Sequence, residues 1–186
     1  AGLRGWPLIR APVGIVWGVL GLWLVWLAGV QARILGINFL LSVLTLVWVA
    51  DIFAYFAGRA FGLRFTRNKL APSISPGKSW EGVWGGLAGV LCLAVAWVAA
   101  DRYFQADVAS FYTRLYSAGW WFLAIAVVFM VAMSVAGDLV ESLIKRSAGV
   151  KDSSGLLPGH GGVLDRVDAL LPTLPLALML TRLISV

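Results

Sequence analysis

Long apolar segments separated by shorter polar ones dominate the pattern of this 186-residue chain. A helix needs about 20 residues to cross the hydrocarbon core of a bilayer, and five segments approach or exceed that length. The predicted spans are Val13–Val30, Ile37–Ala57, Val83–Ala100, Ala118–Ala136 and Ala169–Val186. The pattern therefore predicts an all-α, polytopic transmembrane helical bundle that forms a single domain over residues 1–186.

The composition agrees with a membrane protein, since 60% of the residues are hydrophobic and only 13% are charged. Cys92 is the single cysteine, which excludes an intrachain disulfide and a cysteine-built metal site. The net charge of +6 could indicate nucleic acid, but basic loops of membrane proteins ordinarily set topology or contact lipid and phosphate. We expect no nucleic-acid partner. Because the chain begins at Ala1, we also expect further helices upstream in the full-length protein.

The basic residues are distributed asymmetrically between the two predicted faces of the bundle. Eleven of the 15 Lys and Arg residues lie in the N-terminal segment and in two long connections, Gly58–Gly82 and Gly137–Asp168. Positively charged loops favour the cytoplasmic side of a membrane. The two connections are therefore predicted to face the cytoplasm together, where they could build one site. The connection Gln31–Gly36 is short, which predicts antiparallel packing of the first two spans.

Asp51 interrupts the second predicted span. A carboxylate within a membrane costs several kcal/mol unless it faces a wet cavity or a partner, so such residues are candidates for function. We consider Asp51 a candidate substrate-binding residue in or beside the active site. The alternatives are a structural ion pair with Arg59 or another basic residue, and a position near the membrane interface.

The first charged connection contains Ser75-Pro-Gly-Lys78-Ser79, which precedes the third span. Prolines and glycine indicate a turn, and Lys78 with the serine hydroxyls could donate to an anion. Ser79 also fits a helix start, whose free N–H groups suit phosphate. The segment is therefore a candidate phosphate clamp, provided that it faces the other charged connection. Further along, Gly82-x3-Gly86 and Gly85-x3-Gly89 predict close helix packing, either within the bundle or between two copies in a homodimer.

The second charged connection begins as a helix end. A continuous helix over Ala118–Arg146 would be about 44 Å long and would emerge from the hydrocarbon. Its polar residues Asp138, Glu141, Ser142 and Lys145 follow at i, i+3, i+4 and i+7, and therefore share one face. A solvated, salt-bridged helix end is the alternative interpretation.

A glycine-rich segment, Lys151–Gly162, then leads to Asp165 and Asp168. Asp138 and Asp165 lie at opposite ends of one connection, so the two carboxylates could meet beside the bilayer. Several carboxylates favour Mg²⁺ or a similar hard cation that binds nucleotide phosphates. A zinc site is disfavoured, because His160 is the only histidine and has no cysteine partner.

These segments resemble the signature of the phosphatidate cytidylyltransferases, also called CDP-diacylglycerol synthases. The main resemblance covers Ser142, Lys145, Arg146, Lys151, Asp152, Ser154, Leu157, Pro158, His160, Gly161, Gly162, Asp165, Arg166 and Asp168. Ser75–Gly82 is similar to a second segment of that family, although Gly77 and Ser79 depart from its commoner residues. Asp51, with Tyr55 and Arg59, is similar to a third segment, so the resemblance extends from Asp51 to the C-terminus.

The resemblance implies that CTP and phosphatidic acid react to give CDP-diacylglycerol and pyrophosphate. It implies Mg²⁺, with a second cation left open, at Asp138, Asp165 and Asp168, and Glu141 as a ligand or an orienting residue. The candidates for binding CTP or lipid phosphate are Lys78, Lys145, Arg146, Lys151, His160 and Arg166, with Ser75 and Ser79 as donors. For His160, a hydrogen-bonded loop position is the alternative. The expected location is the bacterial inner membrane, with the active site facing the cytoplasm.

Three other functions remain open at this point. An ion-coupled transporter would distribute charge through several spans, whereas here the charge lies in two connections. A CTP-dependent lipid kinase would release CDP instead of pyrophosphate. A catalytically silent scaffold would have no reason to keep every charged residue of the pattern.

Overall fold

The computed structural model describes residues 11–66, 68–150, 152–154, 162 and 164–184, and the side chains of residues 11–13, 165 and 166 are not described. Within these residues the chain forms seven helices and one two-stranded sheet. The helices are α1 (Ala11–Leu35), α2 (Ile37–Phe61), α3 (Trp80–Tyr103), α4 (Phe111–Ser117), α5 (Trp120–Ser147), α6 (Leu164–Val167) and α7 (Leu170–Ile184), and the strands are β1 (Lys69–Ala71) and β2 (Ser75–Ser79).

Four of these helices are long and apolar enough to cross a membrane: α1, α2, α3 and α5. This confirms the predicted polytopic helical bundle. The fifth predicted span corresponds to α7, an apolar helix of 15 residues. At 1.5 Å per residue α7 is about 22 Å long, which is shorter than the hydrocarbon core. The described residues thus supply four full-length spans and one shorter apolar helix.

The predicted connection Gln31–Gly36 is wrong in its bounds, because a single residue, Gly36, separates α1 from α2. Gly36 has a φ of 136°, a backbone conformation that glycine adopts readily and other residues rarely. A side chain there would also collide with Val108. Glycine is therefore required at this break between the two helices, and α1 packs against both α2 and α7.

Among the described helices, the most extensive contact is between α2 and α3. A Cβ atom built on Gly82 would lie 2.9 Å from the carbonyl oxygen of Ala54, and one on Gly86 would lie 2.8 Å from that of Ala50. No real Cβ tolerates such distances, so only glycine permits this approach. The glycine pattern predicted from the sequence therefore packs inside one bundle, and this face of α3 is occupied by α2.

The segment Asp101–Ser117, between the third and fourth predicted spans, contains the helix α4, which was not predicted from the sequence. Phe111, Tyr112 and Leu115 of α4 are fully buried, and α4 contacts α2, α3, α5 and α7. Its start is held by the Asp101 carboxylate, which accepts hydrogen bonds from the Ser110 backbone N–H at 3.0 Å and from the Thr113 hydroxyl at 2.5 Å. The short helix is thus packed between the other helices, at the end of the bundle opposite β1 and β2.

Sequence signals account for the ends of the helices near the predicted site. Ser79 begins α3, because its Oγ accepts a hydrogen bond from the Gly82 backbone N–H at 3.2 Å. The helix α5 ends beyond Ser147, where Gly149 has a φ of 73° and donates to the Arg146 carbonyl, while Val150 donates to the Lys145 carbonyl. With 28 residues and about 42 Å, α5 exceeds the bilayer core, which confirms the predicted long helix.

The contact between α2 and α3 generates a stability prediction. We expect Gly86→Ala to lower the stability of the bundle by about 1–3 kcal/mol, because the methyl group forces α3 away from Ala50. The measurement is the midpoint of thermal unfolding in detergent, followed by size-exclusion chromatography. Gly21→Ala is the matched control, because a Cβ at Gly21 meets no atom within 4 Å. Equal midpoints for the two variants would contradict this account of the contact.

Candidate active site

A cavity of about 420 Å³ opens between α2, α5 and the hairpin of β1 and β2. Most of the charged residues that line it come from segments the sequence analysis selected. The lining residues are Asp51, Ala54, Tyr55, Gly58, Arg59, Leu70, Gly77, Lys78, Ser79, Gly82, Val83, Val135 and Asp138. The two predicted connections therefore meet at one cavity.

One stripe of α2 forms a wall of this cavity. Asp51, Tyr55 and Arg59 are spaced by four residues, so they share one face of the helix, and all three are exposed. Asp51 lies ten residues, or about 15 Å, before the end of α2 at Phe61. The cavity therefore reaches a depth near the middle of the span, where a carboxylate needs a polar environment.

The alternative of a structural ion pair between Asp51 and Arg59 is wrong. Within the described residues, Arg59 makes no ion pair, and its Nη1 donates instead to the Tyr55 hydroxyl at 3.0 Å. Asp51 lies close enough to Asp138, Asp168 and Lys78 for their charges to interact. Asp51 is thus one of the charged groups that interact with one another at the cavity.

The two connections are joined directly by an ion pair between the Lys78 ammonium group and the Asp138 carboxylate. Lys78 is the residue just before the Ser79 cap of α3, and Asp138 lies nine residues before Ser147, the last residue of α5. The Ser142 hydroxyl, one turn further along α5, donates to the other Asp138 oxygen at 3.3 Å. The start of α3 and the end of α5 are therefore on the same side of the bundle, as the charge asymmetry predicted.

Three carboxylates converge beside this ion pair. Oxygen atoms of Asp138, Glu141 and Asp168 lie within 4.8 Å of one another. The convergence depends on Gly137, because a Cβ there would lie 2.8 Å from Pro172 and 3.0 Å from the Asp168 carbonyl oxygen. The absence of a side chain at Gly137 allows the start of α7 to approach α5, and this brings Asp168 to Asp138.

Holding these carboxylates close together in their ionised form is unfavourable. Burial first, and then the negative charge of Asp138, raise the pKa of the half-buried Asp168 carboxyl. The charges of Lys78 and Lys145 oppose this shift, as does the Ala169 backbone N–H, which donates to Asp168 at 2.7 Å. Lys145 also pairs with Glu141 at 2.6 Å. With Asp51, four carboxylates thus face two ammonium groups, an oxygen-rich and net negative donor set that fits a hard divalent cation.

The structure distributes the predicted site residues over three groups. Brought together are Asp51, Lys78, Ser79, Asp138, Glu141, Lys145 and Asp168. Ser75, on β2, and Arg146, in the last turn of α5, are not among the residues that line the cavity. Lys151 and His160 lie outside the described residues, as do the side chains of Asp165 and Arg166.

Glu81 is an important residue that the sequence analysis missed. Its buried carboxylate oxygen Oε1 accepts hydrogen bonds from the Phe65 and Thr66 backbone N–H groups, at 3.2 and 2.8 Å, and from the Thr66 hydroxyl at 2.8 Å. Glu81 thereby ties the segment that follows α2 to the first turn of α3, directly beside Lys78 and Ser79. An acidic residue in a first helical turn is a common helix signal, so the sequence offered no sign of this second partner.

The fold and the site together define a polytopic membrane protein with an acidic and basic cavity that opens at one end of its bundle. Its sequence matches the Cytidylyltransferase family over residues 7–184, and the chain belongs to this family.

Individual relatives agree with this assignment. The chain is 51% identical over 140 residues to the phosphatidate cytidylyltransferase of Haemophilus influenzae, which covers 75% of the chain and 44% of the relative. It is 48% identical over 136 residues to that of Pseudomonas aeruginosa, covering 73% and 44%. It is 40% identical over 146 residues to that of Thermotoga maritima, covering 78% and 49%. The chain thus spans about half the length of the curated relatives it matches.

The contacts of Glu81 generate a second prediction. We expect Glu81→Leu to increase amide hydrogen exchange at Phe65 and Thr66 about 10- to 100-fold, because removing a buried acceptor costs about 1–3 kcal/mol. Mass spectrometry of the peptide that contains these residues measures the effect. Glu81→Gln is the matched control, because its amide oxygen can still accept. Unchanged exchange in Glu81→Leu would show that other contacts hold this segment.

Proposed function

We propose that this protein transfers the cytidylyl group of CTP to phosphatidic acid, forming CDP-diacylglycerol and pyrophosphate. The observation that carries the proposal is the ion pair between Lys78 and Asp138, which unites the two charged connections at a cavity between membrane helices. A site of this kind could receive a water-soluble nucleotide from outside the bilayer and a lipid from within it. The names of the relatives support the same reaction.

In the proposed reaction an oxygen of the lipid phosphate attacks the α-phosphorus of CTP. The new P–O bond forms as the bond to the β-phosphate oxygen breaks, and pyrophosphate leaves with that electron pair. The attacking oxygen is already anionic, so little general-base assistance is required. The main demand on the protein is to bring two anions together and to stabilise the negative charge of the leaving group.

The acidic cluster suits a divalent cation in this role. Asp138, Asp168 and Glu141 would hold the ion, for which we propose Mg²⁺, and Asp165 is a further candidate ligand from the sequence pattern. When bound, Mg²⁺ would supply positive charge to the nucleotide phosphates. Asp51 is then a polar group at the inner end of the same cavity, positioned to orient substrate or a second cation.

The basic residues have a complementary role. Lys78 and Lys145 each pair with a carboxylate of the cluster, so both lie where a triphosphate would bind. Their ammonium groups would exchange or share these partners when the nucleotide enters. Ser79 can contribute as well, because its Oγ uses a lone pair to cap α3 and keeps its proton for donation into the cavity. Ser75, Arg146, Lys151, His160 and Arg166 are additional candidates for phosphate binding from the sequence pattern.

The proposed location follows from the same charges. The connections that form the cavity carry most of the basic residues, so we propose that the site faces the cytoplasm, where CTP is available, and that the protein lies in a bacterial inner membrane. A homodimer is compatible with this arrangement, and its contact surface would lie away from the glycine-containing face of α3.

The decisive experiment supplies purified protein in lipid nanodiscs with phosphatidic acid, Mg²⁺ and CTP labelled at the α-phosphate. We expect label in the lipid fraction and an equal amount of pyrophosphate. Release of labelled CDP with no label in the lipid fraction would instead indicate a lipid kinase, because a kinase transfers the unlabelled γ-phosphoryl group. Absence of any product with all three reactants present would refute the proposed activity for this chain.

Removal of a carboxylate tests the proposed cation site. We expect Asp168→Asn to lower turnover about 10- to 100-fold and to raise the Mg²⁺ concentration needed for half-maximal turnover, because one negatively charged oxygen ligand is lost. EDTA should abolish the activity of the unsubstituted protein, and Mg²⁺ should restore it. Asp107→Asn is the matched control, because Asp107 is exposed and lies outside the cluster. Turnover that is insensitive to EDTA and to Asp168→Asn would contradict the cation site.

A further inference from the structure

We propose that Arg59, held by the Tyr55 hydroxyl, is the binding site for the phosphate monoester of the lipid substrate. This inference rests on the proposed function, and it divides the cavity into a lipid-phosphate end at Arg59 and a nucleotide end at the acidic cluster. The lipid would enter sideways from the bilayer, past the exposed stripe of α2 that carries Tyr55 and Arg59.

The position of Arg59 along α2 supports this division. Arg59 lies in the last turn of α2, two residues before the helix ends at Phe61. It is eight residues beyond Asp51, which corresponds to about 12 Å along the helix axis. Arg59 is therefore near the end of the span, at the depth where lipid headgroups lie and where arginine is favoured in membrane proteins.

The charge of Arg59 is available to an anion. Among the described residues, no carboxylate lies within ion-pair distance of its guanidinium group. Its Nη1 donates to the Tyr55 hydroxyl at 3.0 Å, and this neutral contact fixes the side chain without neutralising it. Arginine binds phosphate with two parallel hydrogen bonds, and the remaining N–H groups of Arg59 are sufficient for that geometry.

The surroundings of Tyr55 and Arg59 suit a lipid better than a free nucleotide. The helix α2 packs extensively along α3 and much less against α5. Ile52, Tyr55 and Phe56 are exposed beside the cavity lining and present an apolar surface suited to acyl chains. A phosphate attached to acyl chains can therefore reach Arg59 while its hydrocarbon remains in the bilayer.

Electrostatics favour the same assignment. Asp51 and Asp138 line the cavity and would repel a lipid phosphate, whereas Arg59 lies about 12 Å from Asp51 at the other end of the α2 stripe. Lys78 also lines the cavity and is paired with Asp138. The anionic lipid thus has its first attractive partner in Arg59, and the nucleotide has its partners around Lys78 and the cation site.

The test compares Arg59→Gln with Arg64→Gln, a matched control in which an exposed arginine outside the cavity is changed. A charge-assisted hydrogen bond contributes about 1.5–3 kcal/mol, so we expect Arg59→Gln to raise the KM for phosphatidic acid about 10- to 100-fold. The KM for CTP should stay unchanged. Arg59→Lys should show a smaller increase, because an ammonium group lacks the planar pair of donors. Tyr55→Phe should raise only the KM for phosphatidic acid.

A binding experiment without nucleotide separates this inference from the proposed reaction. Titration of the full chain in mixed micelles with phosphatidic acid should show binding that Arg59→Gln weakens, with phosphatidylcholine and inorganic phosphate as the other two ligands. If the protein makes no CDP-diacylglycerol but binds phosphatidic acid through Arg59, the proposed reaction fails and the lipid site stands. If Arg59→Gln raises the KM for CTP, or if Arg59→Gln, Arg59→Lys and Tyr55→Phe all bind phosphatidic acid normally, the lipid site is refuted. Binding of inorganic phosphate equal to that of the lipid would also refute it.

Discussion

The ion pair between Lys78 and Asp138 is the contact on which the site depends. Carboxylates at the edge of an apolar bundle are costly, and each needs a cation, a hydrogen-bond donor or water. Lys78 meets part of this need for Asp138, and in doing so it joins the start of α3 to the end of α5. The carboxylates of Asp51, Glu141 and Asp168 lie near this ion pair, and such a group of oxygen atoms is compatible with a divalent cation.

Close backbone approach makes this concentration of charge sterically possible. Gly82 and Gly86 allow α3 to touch the backbone of α2, and Gly137 allows the start of α7 to touch α5. In lipid the hydrophobic effect does not drive apolar helices together. Small residues at these positions therefore matter, because they allow the close van der Waals packing that holds the helices together. The same approach places Asp51 beside the α3 start and Asp168 beside Asp138. The packing and the chemistry of the site therefore depend on the same glycines.

Local signals in the sequence predicted much of this arrangement. Hydrophobic length identified α1, α2, α3 and α5, the Ser79 cap marked the start of α3, and the spacing of Asp138, Glu141 and Lys145 placed their side chains on one face of α5. The hairpin of β1 and β2 was missed because each strand is very short and because the prolines and glycine of this segment indicate a turn. The helix α4 was missed because seven residues carry too little periodicity to stand out beside the long spans.

Periodicity, helix caps and charge asymmetry act over a few turns of one helix, so the sequence by itself determined the membrane class, the main helices and which residues could carry charge into the site. Only the tertiary structure decided that Asp51 lies near Asp138 instead of pairing with Arg59, and that Glu81 holds the segment after α2. These contacts join residues 15 to 87 positions apart. They depend on how closely helices pack, a property that no local pattern in the chain encodes.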